Sequence, residues 1–322
     1  MSSPLLEIRD LTVSYATGKG RLQALRHVGF RVPEGRIVGI VGESGCGKST
    51  LIASVMRLLA PNAQVDGGAI VFKGKDLLNL PPEDMRALRG SEISMVFQDP
   101  MTSLNPVLSI GRQMADVQHR ARTSRTDKNS RALTMLERVG IPDPASQLTR
   151  YPHQLSGGMR QRVAIAMALM TEPSLLIADE ITTALDATLE VQIIHLLEEL
   201  QRDFGCSILF VSHHLGVIAE LCDEVIVMYA GEVCESGPTR DVFHSPRHPY
   251  TQKLLECDPA RIPQRTRRLP VIEGGLPDLV ELPGGCIFRE RCGRSVARCA
   301  TERPLLDSDR HRAACHLLEP GS

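Results

Sequence analysis

The sequence lacks the features that would place it across a membrane or on nucleic acid. Among 322 residues it has 37 Lys and Arg against 38 Asp and Glu, a formal net charge of −1. A protein that grips nucleic acid through bulk charge carries a clear positive excess, so the balance argues against that class. No apolar run nears the roughly 18 residues that span a bilayer; the longest, "VAIAMALM" at 163–170, has eight. "MSSPLLEIRD" has no basic stretch followed by an apolar one, so no secretory leader is expected. Tandem repeats and long low-complexity segments are missing too. The chain therefore reads as cytoplasmic, where a disulfide framework is not expected. Its nine cysteines are unevenly spread, and Cys286, Cys292, Cys299 and Cys315 crowd the last 37 residues. Apolar content of 42% and charged content of 23% are ordinary for a globular chain of more than one domain.

Strand patterns dominate residues 4–42. "LLEIRDLTVSY" alternates, and "RIVGIVG" is short, apolar and β-branched. A helix is expected in "STLIASVMRLL", then strands in "AIVFKG" and "ISMVFQ". From about 106 to 170 the period becomes helical, which reads as a helical insertion. Strands return at 174–179, 206–212 and 224–236, with a helix near 188–203. Such alternation indicates an α/β fold. After about 256 the pattern gives way to Pro, Gly, Arg and Cys.

Between "RIVGI" and the first helix stands "VGESGCGKST". Gly42, Gly45, Gly47, Lys48 and Ser49 satisfy G-x-x-x-x-G-K-[ST]. Glycines let the backbone curl until successive N–H groups point at one anion, and the following helix offers its positive end. Gly42, Glu43, Ser44, Gly45, Cys46, Gly47, Lys48, Ser49 and Thr50 are thus candidate nucleotide-binding residues. Lys48 would bridge the β- and γ-phosphates of ATP, and the Ser49 hydroxyl would ligate Mg²⁺. Cys46 replaces a residue that is often Ser and needs no special role. The necessary acid follows at a strand end in "LLIADE": Asp179 for Mg²⁺, and Glu180 to polarise the attacking water.

Upstream of that acid, "QLSGGMRQRVAIAMAL" opens a helix, with Ser156 placed as its N-cap and Gly157 and Gly158 behind it. "LSGGMRQR" with its flanking motifs resembles the ATP-binding-cassette (ABC) ATPases. The resemblance implies a P-loop NTPase cassette: a mixed α/β sheet core, an antiparallel β subdomain and a helical subdomain at about 106–170. It implies that Tyr15 stacks on adenine and that Gln98 senses the γ-phosphate and Mg²⁺ and faces the transmembrane subunit. It makes Asp186 the acid of "TALD" and His213 the switch histidine, chosen over His214 by register with its strand. Ile181 stands where relatives usually have proline; Glu180 is retained, so hydrolysis is expected. Ser156, Gly157 and Gly158 would reach the nucleotide of a second cassette, a copy or a paralogue.

"FQDPMTSLNP" (97–106), "YPHQLSGGMRQR" (151–162), "VIVMYAGEV" (225–233) and "SPRHPYTQKLL" (245–255) narrow the resemblance to the ATP-binding subunits of dipeptide and oligopeptide importers, with nickel importers as close relatives. This implies a cassette at 4–256 and a C-terminal extension at 257–322. It implies an ATPase on the cytoplasmic face of the inner (plasma) membrane, held by two permease subunits and served by an extracytoplasmic substrate-binding protein, with no nucleic-acid partner. Importers of nickel or another small solute are an alternative, and a soluble ABC ATPase acting on nucleic acid or ribosomes is a more distant one. In the extension, four thiols in a core-poor segment can organise it around metal. The resemblance suggests a 4Fe–4S cluster on Cys286, Cys292, Cys299 and Cys315; zinc or no metal are the other readings, since cysteine count does not identify a metal. Arg289, Arg291, Arg294 and Arg298 interleave with the thiols and are expected to offset their charge or to form a solvated face. Loss of the metal is expected to loosen the tail and leave ATP binding intact.

Overall fold

The computed structural model describes residues 3–99, 103–121, 123–183, 185–259, 270–307 and 309–318. Of the block at 97–106, residues 100–102 lie outside that set, as does Ala184 of "TALD". The chain divides into two compact units, 1–80 with 211–322, and 81–210.

The first unit holds two sheets. One is antiparallel, in the order β2-β1-β4-β5, from strands β1 (Leu6–Thr17), β2 (Gly20–Val32), β4 (Ala63–Phe72) and β5 (Lys75–Asp76). Leu6 faces Val32 and Val13 faces Leu25 across β1 and β2. Leu6, Ile8, Leu11 and Val13 are all buried, which breaks strict alternation. The register shifts between Ile8 and Leu11, where Asp10 takes a φ of 51°, so a bulge returns Leu11 and Val13 to the core face. The other sheet runs β11-β10-β9-β3 within this unit, from β3 (Ile37–Val41), β9 (Glu224–Tyr229), β10 (Glu232–Pro238) and β11 (Arg312–Ala313). β3 and β9 are parallel; β9 and β10, like β10 and β11, are antiparallel, so the sheet is mixed.

The strand pattern at 224–236 is two strands, not one. Ala230 and Gly231 take φ of 45° and 85°, and the chain folds back there with Glu232 against Tyr229. Two consecutive left-handed residues make a tight hairpin turn whose twist matches antiparallel strands.

The second unit carries β6 (Ile93–Val96), β7 (Leu175–Asp179) and β8 (Ser207–Val211), in the order β8-β7-β6, with β8 ending at the boundary. β6 and β7 are parallel, Ile93 beside Leu175. Between them run helices Ile110–Val117, Arg125–Arg138, Pro144–Gln147 and Gly157–Leu169. A capping box at Ser124 and Asp127 starts the second. Helix Pro82–Leu88 has no apolar periodicity to announce it. Its signals are Pro at the first position and Glu83 and Asp84 in the first turn. Helix Ala187–Phe204 buries Ile193, Ile194, Leu196, Leu197 and Leu200, an apolar stripe at helical spacing, and stops at Gly205 with φ of 62°.

Candidate functional site

The phosphate loop lies between β3 and helix Lys48–Val55. Gly47 caps that helix with a φ of 105°, left-handed space that a side chain rarely tolerates. At Gly42 the constraint is room: a Cβ there would stand 2.2 Å from the Met228 carbonyl oxygen and 2.7 Å from Cys46 Sγ. Lys48 is buried, and its Nζ donates to the carbonyls of Gly42 at 2.7 Å and Glu43 at 3.2 Å. The amine thus waits inside the curl, held by acceptors that a phosphate can replace. Ser49, Ser44 and Gly45 are exposed and Thr50 is partly exposed, while Cys46 is fully buried as a packing residue. Burial raises the Cys46 thiol, and Lys48 only partly offsets that. Tyr15 is half-buried with its hydroxyl 3.3 Å from Thr50 Oγ1, so its ring stands beside the first turn of the helix. His213 and His214 are both exposed just after β8; the His214 N–H donates to Ser212 Oγ at 3.0 Å.

The second unit carries the other expected residues. Asp179 ends β7, and Glu180 follows with a φ of 48°. A non-glycine residue held there stores strain on the order of 1–3 kcal/mol. The turn aims the Glu180 carboxylate at Gln98, whose Nε2 donates to Oε2 at 3.2 Å. Gln98 sits two residues past β6, so the parallel pairing of β6 and β7 is what brings the two side chains together. Ile181 is 2% exposed, its side chain part of the unit's core. Ser156 caps helix Gly157–Leu169 by accepting the Met159 N–H at 3.3 Å. Gly157 has nothing within 4 Å of a Cβ, whereas one on Gly158 would meet Leu189 Cδ1 at 3.1 Å. Asp186 caps the next helix, its Oδ1 accepting the Leu189 N–H at 2.9 Å.

The four tail cysteines converge. Cys286, Cys292, Cys299 and Cys315 line one small enclosed cavity with His248, Phe288 and His316. Burial pushes the Cys286 thiol up to about 11, and the other three thiols add to that. Burial also raises Cys315, with a hydrogen bond from the Leu317 backbone and, less, Arg294 pulling it part of the way back. Among the described residues, no group of three or more His, Cys, Asp or Glu is placed to hold a metal ion. That finding supports neither the iron–sulfur nor the zinc reading of the four thiols.

The expectation for the four arginines divides. Arg289 and Arg294 line the thiol cavity, and Arg298 pairs with Glu302 at 2.6 Å. Arg291 turns away to the phosphate loop, where its guanidinium meets the Glu43 carboxylate at 2.7 and 3.0 Å. Composition cannot single it out among four similar residues. Tyr250 also reaches this loop, its hydroxyl accepting the Glu43 N–H at 3.0 Å, and was not anticipated as a neighbour of it.

Comparison with known proteins gives the family. Residues 25–183 match the ABC transporter family, and residues 234–299 match the oligopeptide/dipeptide transporter C-terminal region. The chain is 48% identical to the probable peptide ABC transporter ATP-binding protein y4tR of Sinorhizobium fredii, over 97% of this chain and 94% of that one. It is 46% identical to the dipeptide transport ATP-binding protein DppD of Bacillus subtilis, over 98% and 95% of the two chains. It is also 46% identical to the oligopeptide transport ATP-binding protein OppD of Salmonella typhimurium, over 94% and 90%. Among solved structures, the dimeric post-hydrolysis state of the ATP-binding cassette MJ0796 bound to ADP and Pi matches with a TM-score of 0.66 at 28% identity, covering 73% of this chain and 99% of that one. CbiO1 of Clostridium perfringens, part of the transporter complex cbiONQ, matches with a TM-score of 0.66 at 30% identity, covering 76% and 92%. The fold and the phosphate loop define an ABC ATPase, with a mixed sheet and helical parts. Within that class, the chain belongs to the ATP-binding proteins of the dipeptide and oligopeptide transporter family.

Proposed function

We propose that this chain is the ATP-hydrolysing subunit that energises an importer of di- and oligopeptides. The observation that carries the reading is a complete phosphate loop in a chain similar over nearly its whole length to peptide-transport ATP-binding proteins. In this reading residues 4–256 form the cassette, with its antiparallel β subdomain and a helical subdomain at about 106–170. Residues 257–322 form the cysteine-rich extension.

Tyr15 stacks on adenine. The loop from Gly42 to Thr50 wraps the phosphates, and Lys48 exchanges its carbonyl acceptors for β- and γ-phosphate oxygens. Ser49 in the phosphate loop would ligate Mg²⁺, and Gln98 and Asp179 are the ligands expected from the second unit; when bound, the ion would neutralise charge on the leaving phosphate. Glu180 orients and deprotonates the attacking water, and its bond to Gln98 supports that role by holding the carboxylate in place. His213 contacts the γ-phosphate. Ser156, Gly157 and Gly158 act on the nucleotide of a second cassette, either a copy or a paralogue, and Asp186 is the acid of "TALD". The chain sits at the cytoplasmic face of the inner membrane, held there by two permease subunits, and an extracytoplasmic binding protein serves the assembly from the other side. No helix among the described residues is long and apolar enough to cross a membrane.

In the extension, Cys286, Cys292, Cys299 and Cys315 would hold a 4Fe–4S cluster, which supplies cross-links to a segment with little core. The convergence of all four thiols on one cavity supports this.

Reconstitution in vesicles with its permease partners tests the transport reading. ATP-dependent uptake of a labelled dipeptide is expected, with Glu180→Gln lowering turnover by about 10²–10⁴-fold while keeping ATP binding. Uptake of nickel but not peptide would move the chain to the metal importers. Turnover of Glu180→Gln within threefold of wild type would remove Glu180 from its role.

A further inference from the structure

The second residue of the phosphate loop is an acid. Glu43 sits where the loop must receive a polyphosphate, and an unbalanced carboxylate there would repel the ligand. Its charge is met from 248 residues away. Arg291 Nη1 donates to Glu43 Oε2 at 2.7 Å and Nη2 to Oε1 at 3.0 Å, a bidentate pair. The Arg291 side chain is 6% exposed and that of Glu43 28%.

All five N–H donors of that arginine are used. Besides the two to Glu43, Nε donates to the Glu273 carbonyl at 3.0 Å, Nη2 to the Ile272 carbonyl at 3.0 Å and Nη1 to the Tyr229 hydroxyl at 3.3 Å. The guanidinium also lies 5.6 Å from the centre of the Tyr229 ring. A buried charge so completely satisfied is fixed in place, and its pKa is raised, chiefly by Glu43. The same stretch of tail touches the loop again: Leu276 Cδ1 is 3.3 Å from where a Cβ on Gly45 would stand.

We infer that Arg291 is a positioning residue of the nucleotide site: by pairing with Glu43 it cancels the loop's own negative charge, so that residues 272–291 form part of the wall that sets ATP affinity. The inference rests on the reading of this loop as the ATP site. It also revises the expectation that the tail can loosen without consequence for ATP, because the residue after Arg291 is Cys292 of the thiol cavity. Disorder around the thiols would release the arginine and expose the carboxylate.

Titration of the full chain with a fluorescent ATP analogue and Mg²⁺ tests this. Arg291→Ala is expected to raise Kd about tenfold, the scale of one unscreened charge near the ligand. Adding Glu43→Gln to Arg291→Ala is expected to bring Kd back to within about threefold of wild type, since the repelling charge is then gone. A packing role alone would leave the double variant as weak as the single one or weaker. Lys48→Ala tests the underlying site: if it binds like wild type, the loop is not where ATP sits, and that reading fails on its own. If Lys48→Ala is impaired while Arg291→Ala binds within twofold of wild type, or if Glu43→Gln gives no rescue, the inference is wrong. Should Arg291→Ala fail to fold by circular dichroism, Glu43→Gln alone decides: binding equal to or tighter than wild type supports charge cancellation, and binding more than fivefold weaker overturns it.

Discussion

The imidazole of His248 is 3% exposed, and its Nδ1 accepts the Tyr250 N–H at 3.0 Å at the start of helix Pro249–Glu256. Burial pushes its pKa down to about 4, against a smaller upward pull from Glu235. In the unfolded chain the ring protonates near 6.5. Between those values the unfolded state binds the extra proton, so stability present above pH 6.5 is lost as pH falls toward 4, by about 3 kcal/mol at most. Urea unfolding at pH 7 and pH 4.5 is expected to show this fall. His248→Asn can still cap the helix but cannot titrate, so its slope over that window should be shallower. Equal slopes in the two proteins would show that other groups set the pH dependence. Nothing in "RHPYT" announces such a ring, because burial depends on what packs over it. Lys48 is different: its motif is local, and spacing alone picks it out, while Asp179 and Glu180 read as an acid pair only with that loop upstream. Glu43 stands between these cases. Its place in the loop was legible, but its partner at position 291 was not.

At the scale of elements, periodicity found most helices and strands because each buries one face. It passed over helix Pro82–Leu88, which buries only Met85 and has no stripe to show. It also merged β9 with β10, because both strands are buried and no polar residue marks the Ala230–Gly231 turn. That turn matters to the phosphate loop, since the Gly231 N–H donates to the Cys46 carbonyl at 2.9 Å. Met228, just ahead of the turn, places its carbonyl where a side chain on Gly42 would go. Gly42→Ala should therefore displace the loop from β9. Overpacking of this kind costs about 1–3 kcal/mol, and ATP binding is expected to weaken by on the order of tenfold or more. A titration that finds unchanged affinity would mean the loop can shift without losing its phosphate cradle.

At the scale of the whole molecule, the tail is the part with least core of its own. Among its described residues Phe288 is the large side chain that is fully buried, with ring centres 5.1 Å from Tyr229 and 5.4 Å from Tyr250. Burying one such ring contributes about 1.5–3 kcal/mol, too little to order a segment of this length. On the proposed cluster reading, Cys292→Ser is expected to lose iron, to expose the chain from about residue 280 to protease, and to weaken ATP binding through the freed Arg291. Iron analysis of anaerobically purified protein, with limited proteolysis of both forms, checks this. Wild type without iron but with a resistant tail would replace the cluster by plain packing. The sequence by itself determined the ABC class, through its resemblance, together with the phosphate loop and the crowd of thiols, because each is a short pattern of neighbours in the chain. Only the tertiary structure decided that Arg291 serves the loop rather than the thiols, that all four thiols share one cavity, and that His248 is held neutral. Each depends on charge and burial between residues far apart in sequence, and four arginines that look alike in composition separate only when the fold chooses which of them meets a carboxylate.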